Sequence, residues 1–134
     1  MTEASPPLIE LLGGEPVLRR VVDRFYDEMD QLEGAATIRA MHPKSLAHSR
    51  EKLFDFLVGW TGGEQRYIAK RGHPRMRMRH MPFAIDLDAR DAWLTCMSIA
   101  LEAEVPPTQA RQHFWTALVR LADHMRNQAE PASS

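Results

Sequence analysis

The segment from Gly72 to Phe83 carries the densest set of chemically useful side chains in the sequence. Arginines alternate with methionines, and the run ends at a histidine: Arg75, Met76, Arg77, Met78, Arg79, His80. Arginine pairs with carboxylates and phosphates, methionine packs on flat apolar groups, and an imidazole nitrogen binds metals. Three interpretations are open: a solvated basic loop, a phosphate-contacting patch, or the site of a flat cofactor that carries a metal and carboxylates.

The cofactor interpretation accounts for every residue type in this segment. Haem is a flat apolar ligand with carboxylate groups, and its porphyrin supplies most of the iron's bonds, so one protein histidine suffices. His80 would then bind the iron, while Arg79 and either Arg77 or Tyr67 would pair with the propionates. The phosphate interpretation is weaker, because the segment lacks supporting aromatic residues at loop positions and the rest of the chain is not basic.

Composition excludes several classes of protein. The chain has 134 residues, 17 Lys and Arg against 18 Asp and Glu, and one cysteine. This length predicts a single domain over residues 1–134, with an ordered core from about residue 8 to about residue 127. The balanced charge argues against nucleic-acid binding, and Cys96 alone can form neither an internal disulfide nor a zinc cage. We find no secretory signal and no run of about 18 apolar residues, so we expect a cytoplasmic protein without a membrane span.

Proline and glycine divide the chain into pieces of helical length, and no strand-like alternation is convincing. The apolar spacing predicts helices over residues 8–12, 16–30, 44–60, 86–104 and 108–127, with one turn near 37–41. Between residues 64 and 82 we expect a structured loop and then a short helix that ends near His80, because Pro74 and Pro82 interrupt helices. The prediction is an all-α fold whose four long helices can form two antiparallel pairs.

Several motifs, in register with one another, resemble those of the group 2 truncated haemoglobins. They are the segment 72–83 followed by Arg90-Asp91-Ala92-Trp93-Leu94, the pairs Gly13-Gly14 and Gly62-Gly63, and Phe25-Tyr26. The similarity extends from about residue 8 to about residue 127. It implies a two-over-two α-helical sandwich that encloses haem b (iron protoporphyrin IX) and binds O2 and other diatomic ligands such as NO or CO.

The resemblance also implies roles for individual residues. His80 matches the proximal iron ligand. Tyr26, Ser49 and Trp93 match distal residues that surround the bound ligand. His42 stands where many relatives have tyrosine, and we expect a polar distal group there rather than a packed corner residue. The side chains expected to contact the haem, besides His80, are Leu46, Lys52, Leu53, Phe56, Tyr67, Met76, Arg77, Arg79, Phe83, Ile85 and Trp93.

Three hypotheses for function remain open. The first is a haem protein whose distal donors stabilise charge on bound O2, which suits tight binding, sensing or redox chemistry better than delivery. The second is a haem enzyme that dioxygenates NO or reduces peroxide with electrons from an external reductase. The third is a haem-free helical module that binds an anionic partner through the Arg71–Arg79 segment, and a visible spectrum would distinguish it. No heptad run or exposed apolar stripe predicts an oligomeric state.

Overall fold

The computed structural model describes residues 6–75, 78 and 80–127. Within them all regular secondary structure is helical, which confirms the predicted all-α class. The helices are α1 (Leu8–Leu12), α2 (Glu15–Gln31), a 3-10 turn (Glu33–Ala35), α3 (Ala36–Ala40), α4 (Ala47–Trp60), α5 (Arg66–Arg71), α6 (Leu87–Glu104) and α7 (Gln109–His124).

Helix α2 lies at the centre of the fold. Its most extensive contact is with α6, and its other long partner is α4, while α6 also packs on α7. Leu18, Val21, Val22 and Phe25 form one stripe along α2 and have no exposed surface. Residues spaced by three and four lie on the same face of a helix, so this stripe is the side of α2 that the core covers. The packed pairs give the two-over-two arrangement that the resemblance implied.

Local signals set the helix ends where the sequence contains a strong cap. Gly13 ends α1 with a φ of 116°, and a Cβ at this position would lie 2.6 Å from the side chain of Val17. Asp86 begins α6 by accepting a hydrogen bond of 2.8 Å from the Ala89 amide. Thr108 does the same for α7, at 3.2 Å from the Arg111 amide. Side-chain oxygens at these positions satisfy amides that have no partner inside the helix.

Helix α5 corrects the prediction of a loop after residue 64. It is held by a contact across the fold rather than by its own pattern: Asp55 of α4, only 2% exposed, accepts hydrogen bonds from Lys70 at 3.0 Å and Arg71 at 3.1 Å. The other differences are smaller, since α4 begins three residues later than expected and α7 ends three residues earlier.

Substitution of Asp55 by asparagine should lower the free energy of unfolding by about 1–3 kcal/mol at neutral pH, because two charge-assisted hydrogen bonds weaken. Burial acts to raise the pKa of this carboxyl, but the hydrogen bonds from Lys70 and Arg71 outweigh it, and the pKa is lowered. The unfolded state therefore binds more protons, so this stabilisation exists at neutral pH and is lost as the pH falls below about 4.

Urea unfolding of both proteins by circular dichroism, at neutral pH and again near pH 3, measures this effect. The difference between wild type and D55N should shrink at the lower pH. An unchanged difference would contradict the role given to the ionised carboxylate.

Candidate functional site

A cavity of about 550 Å³ opens inside the helical sandwich. Its wall is formed by α2, α4, α5, α6 and α7 together with the segments 38–43 and 80–85. This volume falls within the range of about 300–1,000 Å³ that is usual for cofactor and ligand sites. Most of the lining is apolar, and a few polar side chains interrupt it.

The structure brings most of the predicted site residues together at this cavity. Those in its wall are Tyr26, His42, Ser49, Lys52, Leu53, Phe56, Tyr67, His80, Phe83, Ile85 and Trp93. Leu46 is buried in the core instead and is not among the lining residues. Met76, Arg77 and Arg79 lie outside the described residues.

Nine lining residues were not predicted as site residues. Three of them, Leu121, Ala122 and Met125, continue the apolar face of α7 that the sequence pattern already shows, so the period of that helix could have identified them. Arg90 lies inside the motif that carries the family resemblance. The remaining five are Ile38, Met41, Pro43, Leu57 and Ala89.

The backbone from His80 to Ile85 is fixed by a residue that follows α7, Asn127. The Asn127 side chain donates hydrogen bonds to the carbonyl oxygens of His80 at 3.2 Å and Phe83 at 2.7 Å. The side-chain oxygen of Asn127 accepts a hydrogen bond from the backbone N–H of Ile85 at 2.9 Å. The backbone N–H of Asn127 donates to the carbonyl oxygen of Ile85 at 2.9 Å. One side chain thus satisfies three backbone groups of segment 80–85, and the end of the last helix orients the backbone that presents the imidazole.

Five side chains in the cavity wall carry a hydrogen-bond donor that has no partner within the described part of the chain. Three of these donors are the Tyr26 hydroxyl, the Ser49 hydroxyl and the Trp93 indole N–H, and the other two are the Tyr67 hydroxyl and the Lys52 ammonium. Every fully buried side-chain nitrogen or oxygen of the described residues does have a partner, so these donors keep some accessible surface, and all of them belong to residues that line the cavity. An unpaired donor inside a protein costs free energy, which a bound acceptor would recover.

Tyr26 is held as a neutral phenol. Its ring makes edge contacts with the rings of Phe25, at a centroid distance of 4.9 Å, and His42, at 5.8 Å. Burial raises its pKa far above the usual range, while the nearby charge of Arg50 opposes this shift. The hydroxyl therefore keeps its proton and can act as a donor at any physiological pH.

The ring of His42 is fixed as a single tautomer. Its Nδ1 lies 2.8 Å from the carbonyl oxygen of Ile38, and a carbonyl only accepts, so Nδ1 carries the proton. Burial is the main factor that lowers the pKa of this imidazole. In the neutral ring Nε2 has the lone pair and is an acceptor. Neutral His42 is thus a polar group of the cavity wall, but it is not a further donor from Nε2.

Among the described residues, two cationic side chains line the cavity, and they differ in their partners. Arg90 is held by ion pairs with Asp91 at 3.0 Å and Asp123 at 2.7 Å. Lys52 makes no ion pair with any described residue. The ring of Tyr67 lies beside Phe56 at a centroid distance of 6.2 Å. A ligand with carboxylate groups would find a cation and a phenol at this wall.

Cys96 is fully buried in α6 and does not line the cavity. Burial, followed by the charge of Glu28, raises the pKa of the thiol to about 11. At neutral pH it is therefore a protonated thiol packed in the core.

The metal-binding side chains at the cavity fit a metal that a macrocycle already coordinates. Within residues 6–75, 78 and 80–127, no three His, Cys, Asp or Glu side chains gather as a metal cage. Two imidazoles line the large and mostly apolar cavity, those of His42 and His80, and Nδ1 of His42 is already hydrogen-bonded to the Ile38 carbonyl. A haem requires only one such ligand from its protein.

Comparisons with known proteins agree with this geometry. The model of the bacterial-like globin family matches residues 7–127. The chain belongs to this family. Group 2 truncated hemoglobin YjbI of Bacillus subtilis is 33% identical over 117 residues, which are 87% of this chain and 86% of that protein.

Solved structures of the same class superpose closely on this globin. The group II 2-on-2 hemoglobin from the plant pathogen Agrobacterium tumefaciens gives a TM-score of 0.90 at 39% identity, over 96% of this chain and 100% of that one. The cold-adapted truncated hemoglobin from the Antarctic marine bacterium Pseudoalteromonas haloplanktis gives 0.89 at 43% identity, over 92% and 100%.

These findings confirm the resemblance to group 2 truncated haemoglobins. Haem and oxygen binding are typical of that family, and membership supports a haem-binding globin. None of the described helices combines the length and the apolar character needed to cross a membrane.

Proposed function

We propose that this globin binds haem b in the cavity through His80 and reversibly binds O2, or another diatomic ligand such as NO or CO, among the donors of Tyr26, Ser49 and Trp93. The observation that carries the proposal is that the donors of Tyr26, Ser49 and Trp93 have no partner in the described chain and belong to the wall of the same cavity as the His80 imidazole. Such a set has no use in a core that is packed only with side chains.

Different residues around the cavity would bind different parts of the cofactor. His80 would bind the iron, and Leu53 and Phe56 would pack on the ring. Lys52 and Tyr67 would pair with its carboxylates, because an unpaired ammonium and a phenol stand at that wall. When bound, haem supplies an iron that coordinates a diatomic ligand.

The distal donors would decide how long the ligand stays. A hydrogen bond to a charged acceptor contributes roughly 1.5–3 kcal/mol, so two or three such donors would slow ligand escape. Preorganised donors in a dry cavity do not have to be reoriented when the ligand arrives. Tight binding, sensing or redox chemistry therefore suits this pocket better than oxygen delivery.

Substitution of His80 by glycine tests the cofactor assignment. The wild-type protein should show a strong Soret band. H80G should lose most of it and regain it when imidazole is added, because free imidazole can occupy the place of the deleted side chain. The matched control is the exposed His113, whose substitution by glycine should leave the spectrum unchanged. A colourless wild type, or an unaltered Soret band in H80G, would refute the assignment.

Substitution of Tyr26 or Trp93 by phenylalanine tests the ligand network. Each change removes one donor and keeps an aromatic ring, so the O2 dissociation rate should rise about tenfold, which corresponds to roughly 1.4 kcal/mol. Stopped-flow replacement of O2 by CO measures this rate. Trp115, which is half-buried and outside the cavity wall, provides the control W115F. Rates equal to wild type in both Y26F and W93F would remove these donors from the network.

A second candidate is a haem enzyme for NO dioxygenation or peroxide reduction, and the state of His42 favours it. A neutral imidazole with its lone pair on Nε2 can take a proton from an acidic substrate such as hydrogen peroxide. Electrons would come from an external reductase, which is then the expected partner.

This second candidate predicts that substitution of His42 by glutamine lowers the rate of peroxide reduction at least tenfold, since general base catalysis contributes about 10²–10⁴. Peroxide consumption with a chemical reductant measures the rate, and H113Q is the control on an exposed histidine. If H42Q turns over as fast as wild type, this imidazole is not the base, and the candidate loses the observation that favours it.

A further inference from the structure

Arg50 connects the beginning of α4 with the side of α2 that carries Tyr26. It follows Ser49 in sequence, and its guanidinium donates to the backbone carbonyl of Asp23 at 2.9 Å and to the carboxylate of that residue at 3.2 Å. The other terminal nitrogen donates to the carboxylate of Asp27 at 2.8 Å. Two carboxylates one helical turn apart thus hold the planar group in one place.

These contacts hold the Arg50 guanidinium beside the ring of Tyr26. The central carbon of the guanidinium lies 5.8 Å from the ring centroid, within the distance at which a cation is attracted to an aromatic face. Asp23 and Asp27 flank Tyr26 in sequence, so the contacts that fix Arg50 lie on the same turn of α2. The Arg50 side chain is 23% exposed, and partial burial reduces the screening of its charge by water.

Two consequences for the phenol follow from this placement. Rotation of the ring about its side-chain bonds would break the contact with the cation, which favours the present direction of the hydroxyl. The positive charge also acts against burial on the pKa of Tyr26, which makes the O–H a stronger donor than burial alone would leave it.

We propose that Arg50 is a positioning residue, which holds the phenol of Tyr26 in the orientation from which its hydroxyl donates into the cavity. The proposal rests on the proposed role of Tyr26 as a distal donor. Arg50 touches neither the ligand nor the haem in this account and acts through Tyr26 alone.

Arg19 offers a matched comparison within the same pair of helices. It runs from α2 to α4, pairs with Glu51 at 2.9 Å, and places its guanidinium 4.2 Å from the ring centroid of Phe54. Phe54 is buried but is not among the cavity-lining residues. Arg19 therefore provides the same kinds of contact between α2 and α4 without a contact to the pocket.

The experiment compares R50M, R50K and R19M by the O2 dissociation rate. Methionine keeps an unbranched apolar chain and removes the charge. R50M should release O2 about three- to tenfold faster than wild type. The O2 dissociation rate of R50K should lie between those of wild type and R50M, because lysine keeps the charge but lacks the planar guanidinium. R19M should stay within about twofold of wild type. Equal rates in R50M and R19M would overturn the proposal. If R50M does not fold, the comparison rests on R50K.

A second measurement does not depend on ligand binding. In protein labelled with ¹³C-tyrosine, two tyrosine signals are expected, and Y67F assigns the signal of Tyr26. R50M should shift this signal while R19M leaves it in place. An unmoved signal would overturn the proposal whatever the ligand kinetics show.

The double variant R50M/Y26F separates this proposal from the function on which it rests. If Arg50 acts through Tyr26, R50M should add no more than about twofold to the O2 dissociation rate of Y26F. A full additive effect would overturn the proposal. If Y26F alone leaves the rate unchanged, the proposed role of Tyr26 fails, and the tyrosine signal still decides whether Arg50 orients the phenol.

Discussion

The burial of α2 is the constraint on which the rest of the structure depends. Its stripe from Leu18 to Phe25 has no exposed surface and fixes the rotation of the helix against α6 and α4. Tyr26 follows Phe25 and lies about 100° further round the helix, since a turn has 3.6 residues. Because Phe25 is packed in the core, the backbone of Tyr26 is on the side of α2 that meets the cavity. The packing of one residue thereby determines from which side the neighbouring phenol enters, while the orientation of its ring also depends on the side chains around it.

Three arginine side chains at the edge of this core make the same two kinds of contact. Arg19, Arg50 and Arg71 each pair with a carboxylate and place the guanidinium near an aromatic ring, those of Phe54, Tyr26 and Tyr67. A planar cation can satisfy both contacts together, since its edge donates hydrogen bonds while its face meets the ring. Two of these three rings line the cavity. The ion pairs therefore join helices and also restrain aromatic side chains where a cofactor and its ligand would be held.

The sequence predicts those parts of the molecule that local chemistry decides. The beginnings of α6 and α7 and the apolar stripe of α2 can be predicted without the fold, and the family resemblance leads to most of the cavity wall. Helix α5 could not be read, because the partner of its basic residues, Asp55, lies on another helix. The tautomer of His42 could not be predicted either, since it depends on a hydrogen bond to the carbonyl of Ile38, in a segment whose sequence has no clear pattern.

That tautomer changes how the pocket can work. With Nδ1 committed to a backbone carbonyl and the pKa lowered by burial, His42 presents an acceptor at neutral pH, whereas Tyr26 and Trp93 present donors. A pocket of donors alone would only retain a ligand that carries partial negative charge. A neighbouring acceptor can also receive a proton, and retention of the ligand does not require such a group. In the proposed function, ligand affinity would therefore depend on Tyr26 and Trp93 and any proton chemistry on His42, and substitution can separate the two roles because different side chains would carry them.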